Sequence, residues 1–341
     1  MRGHWLCWGV FLLLAPAQVV SGFGCGLEGP DPPEHAGALP NPQPEPVELR
    51  MGTYNVHDLF NDRVDGSSAG VQEARNTPST EEYERRLAQL AGVLDELAAD
   101  VMALQEVENR DALERLATQG PLRGIYPYRV LVEGNDPRGI DVAVLSRYPV
   151  VHQQTHRNDW FFRRDESGGD CYRYARDCLE VHLKVAGRRV ILLVVHFKSH
   201  RDDDPDRRLA EAQQTRLLAD RLAEEHSQAS LVIAGDFNDP PESSTLSALT
   251  EAPGCVLCDG TAYASVGAWL LPAERWTTVD PTTGHGVLFD DLLVSPLLYD
   301  GLDTESVRAL HESVVSGPFG PVSDHAPLVA TFRLDAVEIE P

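Results

Sequence analysis

Three apolar runs in the sequence stop abruptly at a residue able to do chemistry. Val101-Met102-Ala103-Leu104 leads into Gln105-Glu106, Ile191-Leu192-Leu193-Val194-Val195 into His196, and Leu231-Val232-Ile233-Ala234-Gly235 into Asp236-Phe237-Asn238. Near the C-terminus, Ser323-Asp324-His325 precedes a further apolar run and adds another carboxylate and a second imidazole. Carboxylate and amide oxygens suit Mg²⁺, Ca²⁺ or Mn²⁺ rather than Zn²⁺, and an imidazole close to an acid is suited to moving a proton near neutral pH. A divalent ion with a histidine is the equipment of phosphoester hydrolysis: the ion neutralises developing negative charge and a base activates water. A strand that ends on a polar residue is also what any chain shows on reaching the surface. Three such ends carrying Glu, His and Asp point instead to a single rim on a rigid support. The sequence has no Gly-x-x-x-x-Gly-Lys loop and no His-Glu-x-x-His pair, which removes the main support for a nucleotide-loop enzyme or a zinc protease.

The elements that must hold these residues alternate between short apolar runs and longer helical patterns. Strands are predicted at Leu49 to Val56, Val101 to Leu104, Ile140 to Leu145, Leu179 to Val185, Val190 to Val195, Leu231 to Ala234, Val287 to Val294 and Pro327 to Leu334. Glu81 to Ala99 places Tyr83, Leu87, Leu90, Leu94 and Leu97 on one helical face, with Ser79 and Glu82 spaced as a capping box. A second helix is predicted from about Asp206 to Glu225. This composition of elements predicts an α/β fold, a four-layer sandwich of two packed mixed sheets flanked by helices.

The chain of 341 residues is 42% apolar, enough for a substantial core. Behind Arg2, an apolar stretch from Trp5 to Ala17 is too short to span a bilayer, and with small residues near Ala15, Ala17 and Gly24 it reads as a secretory signal over residues 1–24. Cleavage after Ala17 gives a soluble secreted protein, and attachment at Cys25 a lipid-anchored one. Residues 25–48 form a Pro-rich linker and residues 49–335 one catalytic domain, expected to act as a monomer without stable membrane insertion. Export suits the cysteines, since Cys171 with Cys178 and Cys255 with Cys258 fall as two close pairs and predict two local disulfides.

Taken in order, Thr53-Tyr54-Asn55-Val56, Gln105-Glu106-Val107-Glu108-Asn109, Arg138-Gly139-Ile140-Asp141-Val142-Ala143, His196-Phe197-Lys198-Ser199, Gly235-Asp236-Phe237-Asn238-Asp239, Phe289-Asp290-Asp291-Leu292-Leu293-Val294-Ser295 and Ser323-Asp324-His325 resemble the endonuclease/exonuclease/phosphatase family, the pancreatic-deoxyribonuclease-like metal-dependent phosphoesterases. The resemblance covers about residues 49 to 334 and implies roles for single residues. Glu106 stands as the principal metal ligand, with Asn55 and Asp324 completing or supporting that site, and Mg²⁺ as the ion, Mn²⁺ or Ca²⁺ being alternatives. His325 stands beside the scissile phosphate with Asp290 orienting it. His196 is the second catalytic histidine, with Asp141 as the partner that fixes its ring. Asp236 and Asn238 position the attacking water and a phosphate oxygen. Arg138 and Lys198 are substrate-binding candidates; Arg138 lies where many nucleases of the family place a Tyr. Asp291 reads as a solvated neighbour of Asp290.

Within that family the substrate is set by loops. Asn61 to Pro78, Trp160 to Cys178 and Ala262 to His285 are the candidate insertions. The second carries Trp160, Phe161, Phe162, Arg163, Arg164 and Arg173, either a platform for bases and phosphates or an aromatic plug over the sheet edge. Asp202-Asp203-Asp204 either offsets local positive charge or binds Ca²⁺. With 29 basic against 53 acidic side chains the formal net charge is −24, which argues against broad adhesion to DNA, RNA or anionic lipid but not against a locally cationic or metal-filled cleft. The expected activity is an exported phosphodiesterase, foremost an endonuclease on DNA or RNA. A phosphatase or phospholipase C-type hydrolase acting on inositol-phosphate or sphingomyelin headgroups is the alternative, and an inactive surface-binding module the third.

Overall fold

The computed structural model describes residues 45–64, 77–163, 170–251, 263–280, 283–315 and 322–335. The chain divides into two units, 1–42 and 43–341; the first lies outside the described residues, as does the expected signal. In the second, β1 (Val47–Leu59), α1 (Thr80–Leu97), β2 (Val101–Val107), α2 (Arg110–Ala117), β3 (Tyr128–Leu131) and β4 (Asp141–Ser146) come first. They are followed by β5 (Val150–Thr155), the two-residue strands β6 (Phe161–Phe162) and β7 (Cys171–Tyr172), then β8 (Cys178–Val185), β9 (Arg188–His196), α3 (Pro205–Glu225) and β10 (Ser230–Asp236). The last part holds α4 (Ser244–Thr250), β11 (Ala264–Ser265), β12 (Thr278–Val279), β13 (Gly286–Val287), β14 (Asp290–Val294), α5 (Pro296–Tyr299), β15 (Leu302–Ala309), α6 (Glu312–Val315) and β16 (Leu328–Leu334).

Two six-stranded sheets result, in the orders β15-β16-β1-β2-β4-β3 and β11-β14-β10-β9-β8-β5. Each is built around one parallel pair joined by a helix, β1 and β2 through α1, β9 and β10 through α3, and the neighbours of each pair run antiparallel. Side-chain alternation then separates three cores. Leu49, Met51, Val101 and Val144 of the first sheet meet Val181, Leu192, Val194 and Val232 of the second. The opposite faces take the helices: Leu87, Leu90 and Leu94 of α1 cover Tyr54, Met102 and Leu104, and Ala210, Leu218 and Leu222 of α3 cover Ile191, Leu193 and Ile233. Helix, sheet, sheet and helix make the expected four-layer sandwich.

The eight expected strands are present: β2, β8, β9 and β10 are one to three residues longer and β1 five, β4 is shifted by one residue, β16 is one residue shorter, and Val287 to Val294 is broken at residues 288–289 into β13 and β14. The capping box forms, Ser79 Oγ accepting from Glu82 N–H at 3.3 Å and Glu82 Oε2 from Ser79 N–H at 2.9 Å. The helix ends before Ala99 because Ala98 turns left-handed at φ 49° and sends its N–H back to Leu94 and Asp95. The disulfide expected between Cys171 and Cys178 is absent. Both are free thiols, Cys171 exposed on the β6–β7 ribbon opposite Phe162 and Cys178 buried at the start of β8 opposite Val195. Cys255 and Cys258 lie outside the described residues, as do parts of the three insertions. The acidic run is no ion cage: Asp204 caps α3 through Arg207 N–H at 3.0 Å, and Asp203 holds Arg208 at 2.9 Å. Among the described residues no helix is long and apolar enough to cross a membrane.

Candidate active site

The topology carries the candidate metal ligands and catalytic residues to one rim. Asn55 and Glu106 lie at the C-terminal ends of the parallel strands of one sheet, His196 and Asp236 at those of the other. Antiparallel partners begin where these strands end, which brings Asp141 beside Val107, Asp290 beside Asp236, and Asp324 and His325 ahead of β16 to the same end. Asn55, His196, Asp236 and Asp290 also share the alternation of the inter-sheet core residues, so they ring the open end of the central layer. Glu106 has the opposite alternation. It is re-aimed by a bulge between Gln105 and Val107, where its own φ is +66°. Gly235 is required for the approach of β10 to β9: at φ +151° a Cβ there would stand 1.9 Å from the Val195 carbonyl oxygen.

Asp236 Oδ2 is the point of convergence. Asn55 Nδ2 donates to it at 3.0 Å, His196 Nε2 stands 3.6 Å away and His325 Nε2 3.9 Å away. The other oxygen accepts from Asn238 N–H at 2.8 Å, while Asn238 Nδ2 donates to the Phe197 carbonyl at 3.1 Å and so ties two strand ends together. His325 Nδ1 meets Asp290 Oδ2 at 2.6 Å, the Asp–His pair that the resemblance implies. Burial alone would lower the His325 pKa, but the Asp290 and Asp236 carboxylates outweigh it and push it up to about 10. His196 goes the other way: burial first, then the guanidinium charges of Arg176 and Arg138, hold its pKa well down. The rim therefore has one cationic and one neutral imidazole. Asp236 is pushed up to about 7 by burial and by the neighbouring Asp290.

The donor set fits a hard divalent cation. Glu106, Asp236, Asp290 and Asp324 with the amides Asn55 and Asn238 form an oxygen-rich rim, and Asp290 Oδ1 is buried without a hydrogen-bond partner. Burial and then the charge of Asp58 raise the Glu106 carboxyl, which stands only 3.9 Å from His196 Nε2. One oxygen of Asp290 is engaged by His325 and both oxygens of Asp236 accept hydrogen bonds, whereas Glu106 takes the Asp58 N–H on Oε2 and keeps Oε1 toward the rim, which makes Glu106 the better-placed ligand. Asp324 is shared with His57, whose Nδ1 lies 2.7 Å from Oδ1.

The remaining expectations divide. Arg138 is on the rim, forked onto Asp136 at 3.2 and 3.3 Å and reaching Asp58 at 3.4 Å. Lys198 is turned back on its own loop, Nζ donating to the Ser199 carbonyl at 2.9 Å and to that of Arg201. Asp141 does not hydrogen-bond His196. Its Oδ1 accepts from Gly134 N–H at 2.7 Å, because Asn135 N–H binds the Arg176 carbonyl at 2.9 Å and turns the loop toward β4. His196 Nδ1 has no hydrogen-bond partner among the described residues. Asp291 is not solvated: it is buried, accepting from the N–H groups of Gly267 and Leu292, each at 2.7 Å.

Four residues of the site were missed. Asp58 gives its N–H to Glu106 at 2.8 Å, His57 holds Asp324, Asp136 anchors Arg138, and Arg176 joins Asp136 at 2.8 Å to the Phe197 carbonyl at 2.8 Å. For His57 and Asp58 a signal existed, their place directly after the Thr53 to Val56 run; for Arg176 none did. Beside the rim opens a cavity of about 720 Å³ lined by Ser199, His200, Arg201, Thr278, Phe289 and His325. In it the His200 and Phe289 rings stack with centroids 5.7 Å apart and planes 24° apart.

A sequence profile described as the Endonuclease/Exonuclease/phosphatase family matches residues 50–310. No curated protein matches the chain. Among solved structures, truncated TDP2 of Caenorhabditis elegans is similar with a TM-score of 0.55 and 18% identity, over 84% of this chain and 97% of that one. An endonuclease/exonuclease/phosphatase family protein of Bacteroides thetaiotaomicron gives 0.53 and 17%, over 85% and 99%. TDP2 of D. rerio, complexed with a single-strand DNA product, gives 0.54 and 16%, over 84% and 98%. At these identities the structural likeness speaks for the fold.

Proposed function

Because the chain belongs to the endonuclease/exonuclease/phosphatase family and is thereby a metal-dependent hydrolase of phosphoester bonds, we propose that it is a Mg²⁺-dependent phosphodiesterase acting on nucleic acid, an endonuclease on DNA or RNA. The observation that carries the substrate choice is the stacked His200–Phe289 pair in the cavity against His325. An aromatic face beside a cationic imidazole is a surface for a base and its phosphate. The D. rerio relative bound to a single-strand DNA product has the same fold, which supports the reading.

In the proposed reaction Asp236 accepts a proton from a water whose oxygen bonds to phosphorus, the opposite P–O bond breaks, and the leaving oxygen takes a proton from solvent. Burial and Asp290 lift the affinity of Asp236 for that proton. Asn55 and Asn238 N–H fix the carboxylate. His325, held cationic by Asp290, donates Nε2–H to a phosphoryl oxygen, and neutral His196 lies on the other side of Asp236 Oδ2. Glu106 would hold the divalent ion, with Asp324 and Asn55 supporting, and the ion would supply neutralisation of the phosphate.

A second reading, a phosphatase or phospholipase C-type hydrolase of an inositol-phosphate or sphingomyelin headgroup, has its own observation. Trp160 and Phe162 on the small β6–β7 ribbon are 64% and 60% exposed, and Arg173 stacks over Trp160 at 4.7 Å. We also propose that the chain is exported, secreted after cleavage near Ala17 or lipid-anchored at Cys25, because an apolar run follows Arg2 and a Pro-rich linker follows the run. One assay separates the substrates: supercoiled DNA, RNA, a phosphoinositide and sphingomyelin, with Mg²⁺, Ca²⁺ or chelator, beside Asp236→Ala. Nucleic-acid cleavage abolished by chelator and by the substitution is the expected result. Turnover of lipid alone would replace the nuclease reading with the second.

A further inference from the structure

A second cluster of ligating side chains lies on the outer face of the second sheet and shares no residue with the rim. Glu180 and His182, two apart on β8, project to the face that carries α3, where their β9 partners Leu193 and Ile191 belong to an apolar core. On the edge strand β5, His152 is paired opposite His182. Glu180 Oε1 is 2.7 Å from His182 Nε2 and 3.5 Å from His152 Nε2, and these ligand atoms all lie within 4.8 Å of one another. The other oxygen, Oε2, meets His156 Nε2 at 3.1 Å, and His156 Nδ1 meets Asp159 at 2.8 Å. His226, the residue that caps α3, presents its ring edge-on to His182 at 5.3 Å. Glu180 and His182 are buried, while the His152 side chain is 48% exposed.

We propose that His152, Glu180 and His182 form a site for a borderline divalent transition metal of the Zn²⁺ kind. Two imidazoles and one carboxylate with a fourth position open to solvent are a recurrent Zn²⁺ ligand set. Tetrahedral ligands at ordinary Zn–N and Zn–O distances stand about 3.3 Å from one another, and the observed 2.7 and 3.5 Å bracket that separation. His156, itself held by Asp159, fixes the second carboxylate oxygen, the outer support such sites use. Arg189 opposes the ion. Its Nη1 lies 3.4 Å from His182 Nδ1 and 3.1 Å from His226 Nε2. A metal on His182 Nε2 leaves the proton on Nδ1, so Arg189 must release that ring and keep His226. The ion would fasten the edge strand β5 to β8, so its effect is on stability and not on the reaction.

The test uses the full chain with Mg²⁺ in excess and Zn²⁺ as the probe, bound Zn²⁺ being counted by equilibrium dialysis and the thermal midpoint followed. Glu106→Gln serves as a background from which binding at the rim is removed. The expected result is one Zn²⁺ per chain that survives both Mg²⁺ and Glu106→Gln and raises the midpoint. His152→Ala, a change at an exposed side chain, weakens that binding at least tenfold and leaves Mg²⁺-dependent hydrolysis unchanged. Arg189→Gln tightens it. Zn²⁺ binding unaltered by His152→Ala, or lost altogether in Glu106→Gln, would overturn the assignment.

Discussion

His196 and His325 stand on either side of one carboxylate oxygen, yet their surroundings drive them to opposite protonation states. His196 has guanidinium groups nearby and no carboxylate on Nδ1; His325 has Asp290 at 2.6 Å. The Asp290–His325 pair acts as a unit, which makes a specific demand on mutant kinetics. Asp290→Asn and His325→Ala are each expected to lower kcat on the order of 10²–10⁴-fold, and the double variant to lose little more than the worse single one. Losses that multiply in the double variant would show two independent contributions. At this scale the sequence was most informative where an apolar run ends on a polar residue, as at His196 and Asp236, because burial of the run fixes the direction of the residue that closes it, whereas at Glu106 the direction is set by a bulge that the run does not announce. It was silent on Arg176 and Asp136, whose partners lie across loops and are set by chain reversal rather than by any local pattern.

Between the elements, Glu211 does what no periodicity announced. It is a charged residue on the buried face of α3, where its two oxygens accept from Ala175 N–H at 2.6 Å and Lys198 N–H at 2.7 Å, joining the helix to the segments before β8 and after His196. Burial, the leading cause, lifts its pKa from 4.5 to about 7 despite those bonds. The folded chain then holds this proton after the unfolded chain has lost it. The linkage sign follows: stability falls as pH rises from about 4.5 to about 7 and is level on either side. Glu211→Gln is expected to flatten that part of the pH–stability curve, by at most about 3 kcal/mol. Urea unfolding of both proteins at a series of pH values would measure it, and parallel curves would refute it. The long strands and both major helices were legible because each has an apolar face; β5 and β15 were not. β5 is exposed along most of its length, and β15 alternates only between half-buried and exposed residues, so neither carries an apolar stripe.

For the molecule as a whole, the four layers followed from the count and kind of elements, whereas the order of strands in each sheet depends on crossings that no local pattern encodes. The net charge of −24 has a sharper meaning once the rim is built. Few cations face the cavity: Arg201 and His325 line it, while Lys198 is spent on carbonyls and Arg138 on Asp136. With so few phosphate contacts, log KM for DNA at fixed Mg²⁺ is expected to change with log salt with a slope below about 3 in magnitude. A steep slope would reveal a cationic track that the described residues do not contain. Finally, the backbone is left-handed at Glu106, φ +66°, and at Asn238, φ +51°, just where the chemistry is placed. Such a conformation costs a side chain like that of Glu106 about 1–2 kcal/mol, whereas Asn is among the residues that adopt it readily. Glu106→Gly would release that strain but leave the Asp58 N–H without its acceptor, so the same left-handed turn that aims the carboxylate into the rim is held in place by the bond the carboxylate returns.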